Sequence, residues 1–460
     1  MERSDTKTGL SSRLKVLVIT HTFPPSAEVG GQRLSRLCQH LPGNGVDPIV
    51  LTLDEHLFPN RDFTLPMPEG VRIVRTRKLR HPLEMVAAWR KRNGENSLKQ
   101  SAAPADKKNR WMRRHILALL KIPDRHWGWY WPALHKARLL LREEKIDAVL
   151  SSGPPWTGHM IARRIHLEFE IPWLADFRDP WASFVNHEEP AWWIRMAHRM
   201  EQNCIHDAKR VICNTDRLRN ALANTYPREE NTKFYTLTNG YERSRKQKLG
   251  PTVEGRKLFL HMGSIYGRRR IDGFCQAISQ LVTAGLLDRR EFKVLFQGDV
   301  SPSFIEQVGV LAPELLHSRC IEFRPRVDWE EAQRTLWQAD LLLLFQGDHH
   351  LQVPAKVYEY LPTGIPIFAV TEEGALTDLL QTVENSIWAH PDKPEEIAGR
   401  FMHALRLSAS DPETMKVRLD KRFLYSALGK RLAGLIREVT GRSPGTDDEP
   451  QHDLAQGSYT

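Results

Sequence analysis

One pattern constrains this chain more than any other: a β-rich apolar run, a glycine-punctuated loop and a helix, written twice. Leu14–Thr20 (LKVLVIT) leads into the proline- and glycine-marked loop His21–Gly31 (HTFPPSAEVGG). Leu34, Leu37, Cys38 and Leu41 then fall at i, i+3, i+4 and i+7, one face of a helix. Further short apolar runs return at Pro48–Leu53, Val71–Val74, Ala148–Ser151, Trp173–Ala175, Arg210–Cys213 and Tyr235–Leu237. After the charged connector Arg243–Gly250 the grammar restarts. Leu258–His261 runs into Gly263, and Phe292–Gln297, Cys320–Phe323, Leu341–Phe345 and Ile365–Val370 follow, with helical spacing over Val353–Leu361. Strands that alternate with helices build parallel sheets, because a parallel pair needs a long crossover and the helix covers a sheet face. The expected fold class is α/β, with two Rossmann-like halves joined near residue 245 and no repeat of sequence between them.

The expected organisation is a first domain over 14–245, carrying a basic insertion at 77–125, and a second over 251–420. Leu424, Leu428, Leu432 and Ile436 share one stripe, which predicts a closing helix within 421–440. The polar remainder, 441–460, reads as a disordered tail. With 460 residues, two or three domains are expected. No apolar run reaches about 18 residues, so no membrane-spanning helix is expected, and Met1–Arg13 lacks the apolar core of a secretory signal. Five cysteines without metal or redox spacing fit a reducing compartment, hence the cytoplasm.

Sixty-six Lys and Arg against 56 Asp and Glu leave a formal charge of +10, which favours an anionic partner: a phosphate-bearing metabolite, an acidic lipid surface or nucleic acid. The basic residues concentrate in Arg77–Arg125, with fourteen Lys or Arg against four acids, beside Trp89, Trp111 and the apolar patch Ile116–Leu120. A solvated insertion accounts for this. So does a basic amphipathic element lying on an anionic membrane. Nucleic acid is disfavoured, because the segment has neither a recognition helix nor stacking aromatics on strands.

Five groups of residues can carry chemistry. Gly30-Gly31 precede a helix, where paired glycines let backbone amides approach an anion, although a plain strand-to-helix turn uses them equally well. The spacing is not GxGxxG, so no dinucleotide fingerprint is present. Asp176-Phe177-Arg178-Asp179 follow the Trp173–Ala175 strand, at the end where open α/β sheets bind ligands, or they form an internal salt bridge. Ser152 and Gly153 close another strand and leave room for a substrate. Gly263 with Arg268, Arg269 and Arg270 sets cations beside a glycine turn, a cradle for a diphosphate in which at least one arginine is expected to be merely solvated. Lys356 and Glu359 lie at i and i+3 on one helix face, where lysine can meet phosphate and the carboxylate a ribose, or the two form an exposed ion pair.

Together these segments resemble the GT-B glycosyltransferases, specifically the retaining enzymes of family 4 that build bacterial surface polysaccharides. The matching text, in family order, is FPPSAEVGGQRLSRL, SSGPPWTGHMIARR, IPWLADFRDPW, LTNGYE, HMGSIYGRR and VPAKVYEYLPTGIPIFAV, spanning most of residues 14–437. FRDPW and KxxEYxxxGxPI are the most specific. The resemblance implies two Rossmann-like domains facing across a cleft, with the C-terminal helix crossing back to the first. The second would bind a nucleotide-sugar and the first a glycan or lipid-linked acceptor. Glu359 would hold the donor ribose, with Gly263, Gly364, Gly30 and Gly31 also on the donor. Arg268 or Arg269 and Lys356 would meet the diphosphate. Arg178 and Asp179 would face the transferred sugar, and Asp176, Ser152 and Gly153 the acceptor.

Two features depart from the family pattern. Leu351 stands where relatives carry a second glutamate, and Gly263-Ser264-Ile265 replaces the commoner Gly-Arg-Leu turn. No DxD-like motif occurs at a strand end, so a metal-independent reaction without cofactor is expected, with fixed cations stabilising the leaving diphosphate. The resemblance further implies front-face attack with retention. An epimerase or hydrolase of the same fold, and a non-catalytic sugar-nucleotide scaffold suggested by the missing glutamate, are the rival readings.

Overall fold

A computed structural model describes residues 13–80, 107–182, 189–242, 255–265, 267, 269–408 and 420–442. In the first half β1 (Leu14–Ile19), α1 (Val29–His40), β2 (Val46–Leu53) and β3 (Arg72–Thr76) are followed by α2 (Lys107–Leu119), α3 (Tyr130–Glu143) and β4 (Ala148–Gly153). Then come α4 (Thr157–Phe169), β5 (Trp173–Phe177), α5 (Ala191–Asp207), β6 (Arg210–Cys213), α6 (Asp216–Thr225) and β7 (Phe234–Thr236). The second half runs β8 (Lys257–Met262), α7 (Asp272–Thr283), β9 (Phe292–Gln297), α8 (Pro302–Leu311), α9 (Pro313–His317), β10 (Ile321–Arg324), α10 (Trp329–Gln338) and β11 (Leu341–Phe345). It closes with α11 (Ala355–Tyr360), β12 (Ile367–Val370), α12 (Ala375–Leu380), β13 (Ser386–Ala389), α13 (Pro394–Ser408) and α14 (Tyr425–Val439).

The strands form two sheets, ordered β3-β2-β1-β4-β5-β6-β7 and β10-β9-β8-β11-β12-β13. Every pairing within them is parallel. Both orders reverse beside the first strand of the half, between β1 and β4 and between β8 and β11, so each sheet has a topological switch point with a crevice at the carboxyl ends of its strands. The central strands are buried on both faces: β4 and β11 are covered along their whole length, which explains why they read as continuous apolar runs. The α/β expectation with two doubly wound halves is therefore met.

Each sheet separates two apolar clusters. Leu17, Ile19, Trp129, Val149, Trp173 and Phe177 lie on one side of the first sheet. Val16, Val18, Leu34, Leu37 and Ile212 lie on the other, and there Tyr425, Leu428, Leu432 and Ile436 of α14 complete the layer. The last helix thus buries its stripe in the first domain. The chain crosses there beside its earlier passage: Tyr241 N–H donates to Phe423 O at 2.9 Å and Tyr425 N–H to Tyr241 O at 3.1 Å.

The halves also touch along the cleft. Arg326 Nη2 donates to Ala27 O at 2.8 Å, Trp329 N–H to Asp62 Oδ2 at 2.7 Å, and Arg217 pairs with Asp378 at 2.7 Å. Of the basic insertion, α2 lies among the described residues, whereas Trp89 and the tail beyond residue 442 lie outside them. Met112, Ile116 and Leu119 of α2, spaced i, i+4 and i+7, are exposed together with Trp111, Trp131 and Leu167. Among the described residues no helix is long and apolar enough to cross a membrane.

Candidate functional site

The switch point of the second sheet gathers the positive groups. β8 ends in Gly263, whose φ of +119° a side chain rarely adopts. A Cβ there would stand 2.9 Å from Lys356 Nζ, so the bare strand end lets the ammonium close over the backbone. Lys356 reaches this point from the first turn of α11. Its Nζ lies 3.0 Å from Nε2 of His261, a fully buried residue whose Nδ1 lies 3.0 Å from Leu343 O on β11. Arg269 bends back to the Ser264 carbonyl. Burial and the charge of Arg269 depress Lys356 to about 7, against the opposing pull of Glu359. Burial pushes the Glu359 carboxyl up, while Lys356 and, from the other domain, Arg36 hold it down. Arg36 also covers the Trp329 ring, 5.9 Å from its centroid.

The facing surface belongs to the first domain. No side chain caps the start of α1, and its first turn holds no acid. Gly30 lies in that turn beneath Arg178: a Cβ at 30 would stand 1.5 Å from Arg178 Nη1. Arg178 Nη2 donates to Pro154 O, just beyond Gly153, so three of the expected site segments converge here. Gly31 has another task, since a Cβ there would stand 2.9 Å from the backbone of Thr22. Its smallness seats α1 on the β1 loop.

Asp179 faces the second domain, accepting from Gln352 Nε2; burial pushes its carboxyl up against the pull of Arg178 and of that bond. Leu351, at the position of the family's other glutamate, offers its carbonyl to Thr215 Oγ1 at 2.6 Å. That segment serves as an interdomain contact.

Other expected site residues stand elsewhere. Asp176 and Ser152 are buried and committed to internal partners: Ser152 Oγ donates to Asp176 Oδ2 at 2.7 Å and Arg33 Nη2 to Oδ1 at 3.1 Å. Arg33 also donates to Leu237 O at 2.8 Å and to Thr238 O. This buried ion pair ties α1 to β4, β5 and the chain after β7, instead of presenting the carboxylate to the open cleft. Gly364 requires a correction as a donor contact. It ends the turn after α11 at φ +68° and accepts from Asn385 Nδ2, at the amino edge of β12 and β13, opposite the crevice. Arg270 is tied to Asp272 at 2.7 Å and to Asp392, so its guanidinium is engaged outside the cradle. Arg268 lies outside the described residues.

Sequence reasoning passed over His261, Arg33 and Arg36. A polar residue inside the apolar run Leu258–Met262 marked the first, and a charge beside the apolar stripe of α1 marked the second. Arg36 left no signal. Among the described residues no group of three or more His, Cys, Asp or Glu side chains is arranged to hold a metal ion.

Residues 80–245 match the family model of Glycosyltransferase Family 4. No curated protein matches the chain. Among solved structures, sucrose-phosphate synthase from Thermosynechococcus elongatus is 13% identical with a TM-score of 0.64, covering 93% of this chain and 100% of that one. WaaG, a glycosyltransferase involved in lipopolysaccharide biosynthesis, is 15% identical with a TM-score of 0.55, covering 92% and 99%. HepE from Anabaena, in complex with UDP and glucose, is 13% identical with a TM-score of 0.52, covering 93% and 97%. The shared element is the two-sheet architecture with its interdomain cleft.

Proposed function

We propose that this chain, which shares the GT-B architecture of solved glycosyltransferases and matches the Family 4 model over residues 80–245, transfers a sugar with retention from a nucleotide-diphosphate-sugar to a glycan or lipid-linked acceptor. The product belongs to cell-surface polysaccharide, a role in keeping with the lipopolysaccharide context of WaaG. The observation that carries the reading is the closure of Lys356 over Gly263 at the switch point of the second sheet, with Arg269 and Glu359 beside it.

A diphosphate at this strand end meets a half-buried amine, which the phosphate charge holds protonated, and an uncluttered backbone, both in place before negative charge grows on the leaving oxygen. Glu359 is the group that accepts ribose hydroxyls. The first domain supplies the uncapped start of α1 and Arg178, which add positive potential from across the cleft. With no protein nucleophile assigned, the acceptor hydroxyl attacks the face the diphosphate leaves, and the departing phosphate oxygen takes its proton. The apolar stripe of α2, within the basic insertion, supports a seat on the inner face of an anionic membrane, where a lipid-linked acceptor is reached from the cytoplasm.

The test is transfer from UDP-, GDP-, dTDP- and ADP-sugars to lipid-linked acceptors, with the anomeric configuration of the product read by NMR. Glu359→Gln and Lys356→Met should each slow turnover at least about tenfold, the equivalent of 1.4 kcal/mol. Full turnover in both variants refutes the site; an inverted product refutes the stereochemistry; hydrolysis without transfer favours a hydrolase.

A further inference from the structure

We propose that His261 is a positioning residue for the donor diphosphate, its bare Nε2 lone pair holding the Lys356 ammonium at the end of β8 without cancelling its charge. The inference rests on the nucleotide-sugar reading above. It begins from a residue type out of place: one imidazole in a strand of Leu, Phe and Met, fully buried between the rings of Phe296 and Phe345 at 5.9 and 5.4 Å. A buried imidazole must satisfy both nitrogens. The Leu343 carbonyl can only accept, so Nδ1 carries the proton and Nε2 is left as an acceptor. Its partner is Lys356 Nζ, 95 residues away in sequence, on the helix that also carries Glu359.

The chemistry of that partner matters. A carboxylate in the place of His261 would hold the ammonium equally well, but would neutralise it and turn the pair into a structural salt bridge. A neutral lone pair fixes one of the three N–H donors and leaves two, with the full charge, for an anion. His261 stays neutral because burial and the adjacent Lys356 and Arg269 all oppose a proton on it. The groups bearing on Lys356 itself are Arg269, from the loop after β8, and Glu359, from its own helix.

Two substitutions separate the halves of the imidazole. His261→Asn places an amide N–H where Nδ1 was, keeping the bond to Leu343 O and losing the acceptor facing Lys356. His261→Gln places a carbonyl oxygen where Nε2 was, keeping that acceptor; the Leu343 carbonyl then still has the Tyr360 hydroxyl at 3.4 Å. Affinity of the full chain for UDP-, GDP-, dTDP- and ADP-glucose is measured by calorimetry from pH 6 to 8, with melting temperatures recorded alongside. For whichever nucleotide sugar the wild type binds, Asn should weaken binding about tenfold and move the alkaline limb of the profile to lower pH, because the ammonium has lost its acceptor. Gln should stay within about threefold of wild type, with the limb in place. An Asn variant with wild-type affinity and an unmoved limb overturns the proposal. So does equal loss in both variants together with a fallen melting temperature, since that describes a structural role alone. If the wild type binds none of the four, the nucleotide-sugar reading itself fails, and the inference with it.

Discussion

Donor binding should draw a proton from solution, and the amount can be worked out from one side chain. Lys356 sits near 7 in the free protein because burial and Arg269 oppose its charge. A diphosphate beside Nζ reverses the balance. A unit charge at ~4 Å in a medium of effective dielectric near 20 contributes about 4 kcal/mol, or roughly 3 pK units, so the bound lysine remains an ammonium throughout the neutral range. The sign follows: the bound form holds more protons than the free form above pH 7, so affinity must fall as pH rises. At pH 8 a group titrating at 7 is about 0.9 deprotonated, and binding takes up about 0.9 proton; at pH 6 the uptake is about 0.1. Between those pH values the dissociation constant should rise about tenfold. A nucleotide sugar is the right probe, because its diphosphate is esterified at both ends and does not itself titrate there. Calorimetry in buffers of different ionisation enthalpy reads the uptake directly. Lys356→Met should abolish it. Equal uptake in wild type and Lys356→Met, or pH-independent affinity in the wild type, would refute the assignment of the diphosphate to this lysine.

Three other outcomes follow from the geometry. Gly30→Ala drives a Cβ into the Arg178 guanidinium, which is flexible and can move aside; kcat/KM should drop about tenfold while thermal denaturation shows a nearly unchanged melting temperature. Arg33→Met leaves Asp176 buried with only Ser152 as a partner, so urea unfolding should show a loss of about 3–5 kcal/mol, and Arg33→Met combined with Asp176→Asn should recover part of it. Replacing Met112, Ile116 and Leu119 by Ser should weaken cosedimentation with vesicles rich in phosphatidylglycerol without altering turnover on a water-soluble acceptor; unchanged cosedimentation would remove α2 from the membrane reading.

Much of the architecture could be read along the chain, because buried parallel strands are short apolar runs and their glycine ends are conspicuous. LKVLVI and LLLLF could hardly be anything else. β13 escaped notice: Ser386–Ala389 is four residues long, half-exposed at the sheet edge, and neither alternates nor runs apolar. The fold brings Gly263, Lys356 and Glu359 together, and they were legible as candidates because loop chemistry and helical spacing are local. What a residue does with a distant neighbour is not. The bare nitrogen of His261 depends on Leu343, 82 positions away, and the engagement of Asp176 depends on Arg33, 143 positions away. Gly364 misled for a different reason. It sits in the same motif as Glu359, but the six-residue helix and the turn after it carry the chain from the carboxyl end of β11 to the amino end of β12.

The double passage of the chain beside Tyr241 constrains how the two halves can move. Because the outgoing and returning segments are hydrogen-bonded to each other, they behave as two pins in one door-jamb. Sliding one half past the other would strain both pins, while swinging about their common line only bends them. Any opening and closing of the cleft is thereby expected to follow a single arc. A chain cut after residue 242 could not rehearse that movement, since the half left behind would have lost the apolar stripe of α14 that finishes its core.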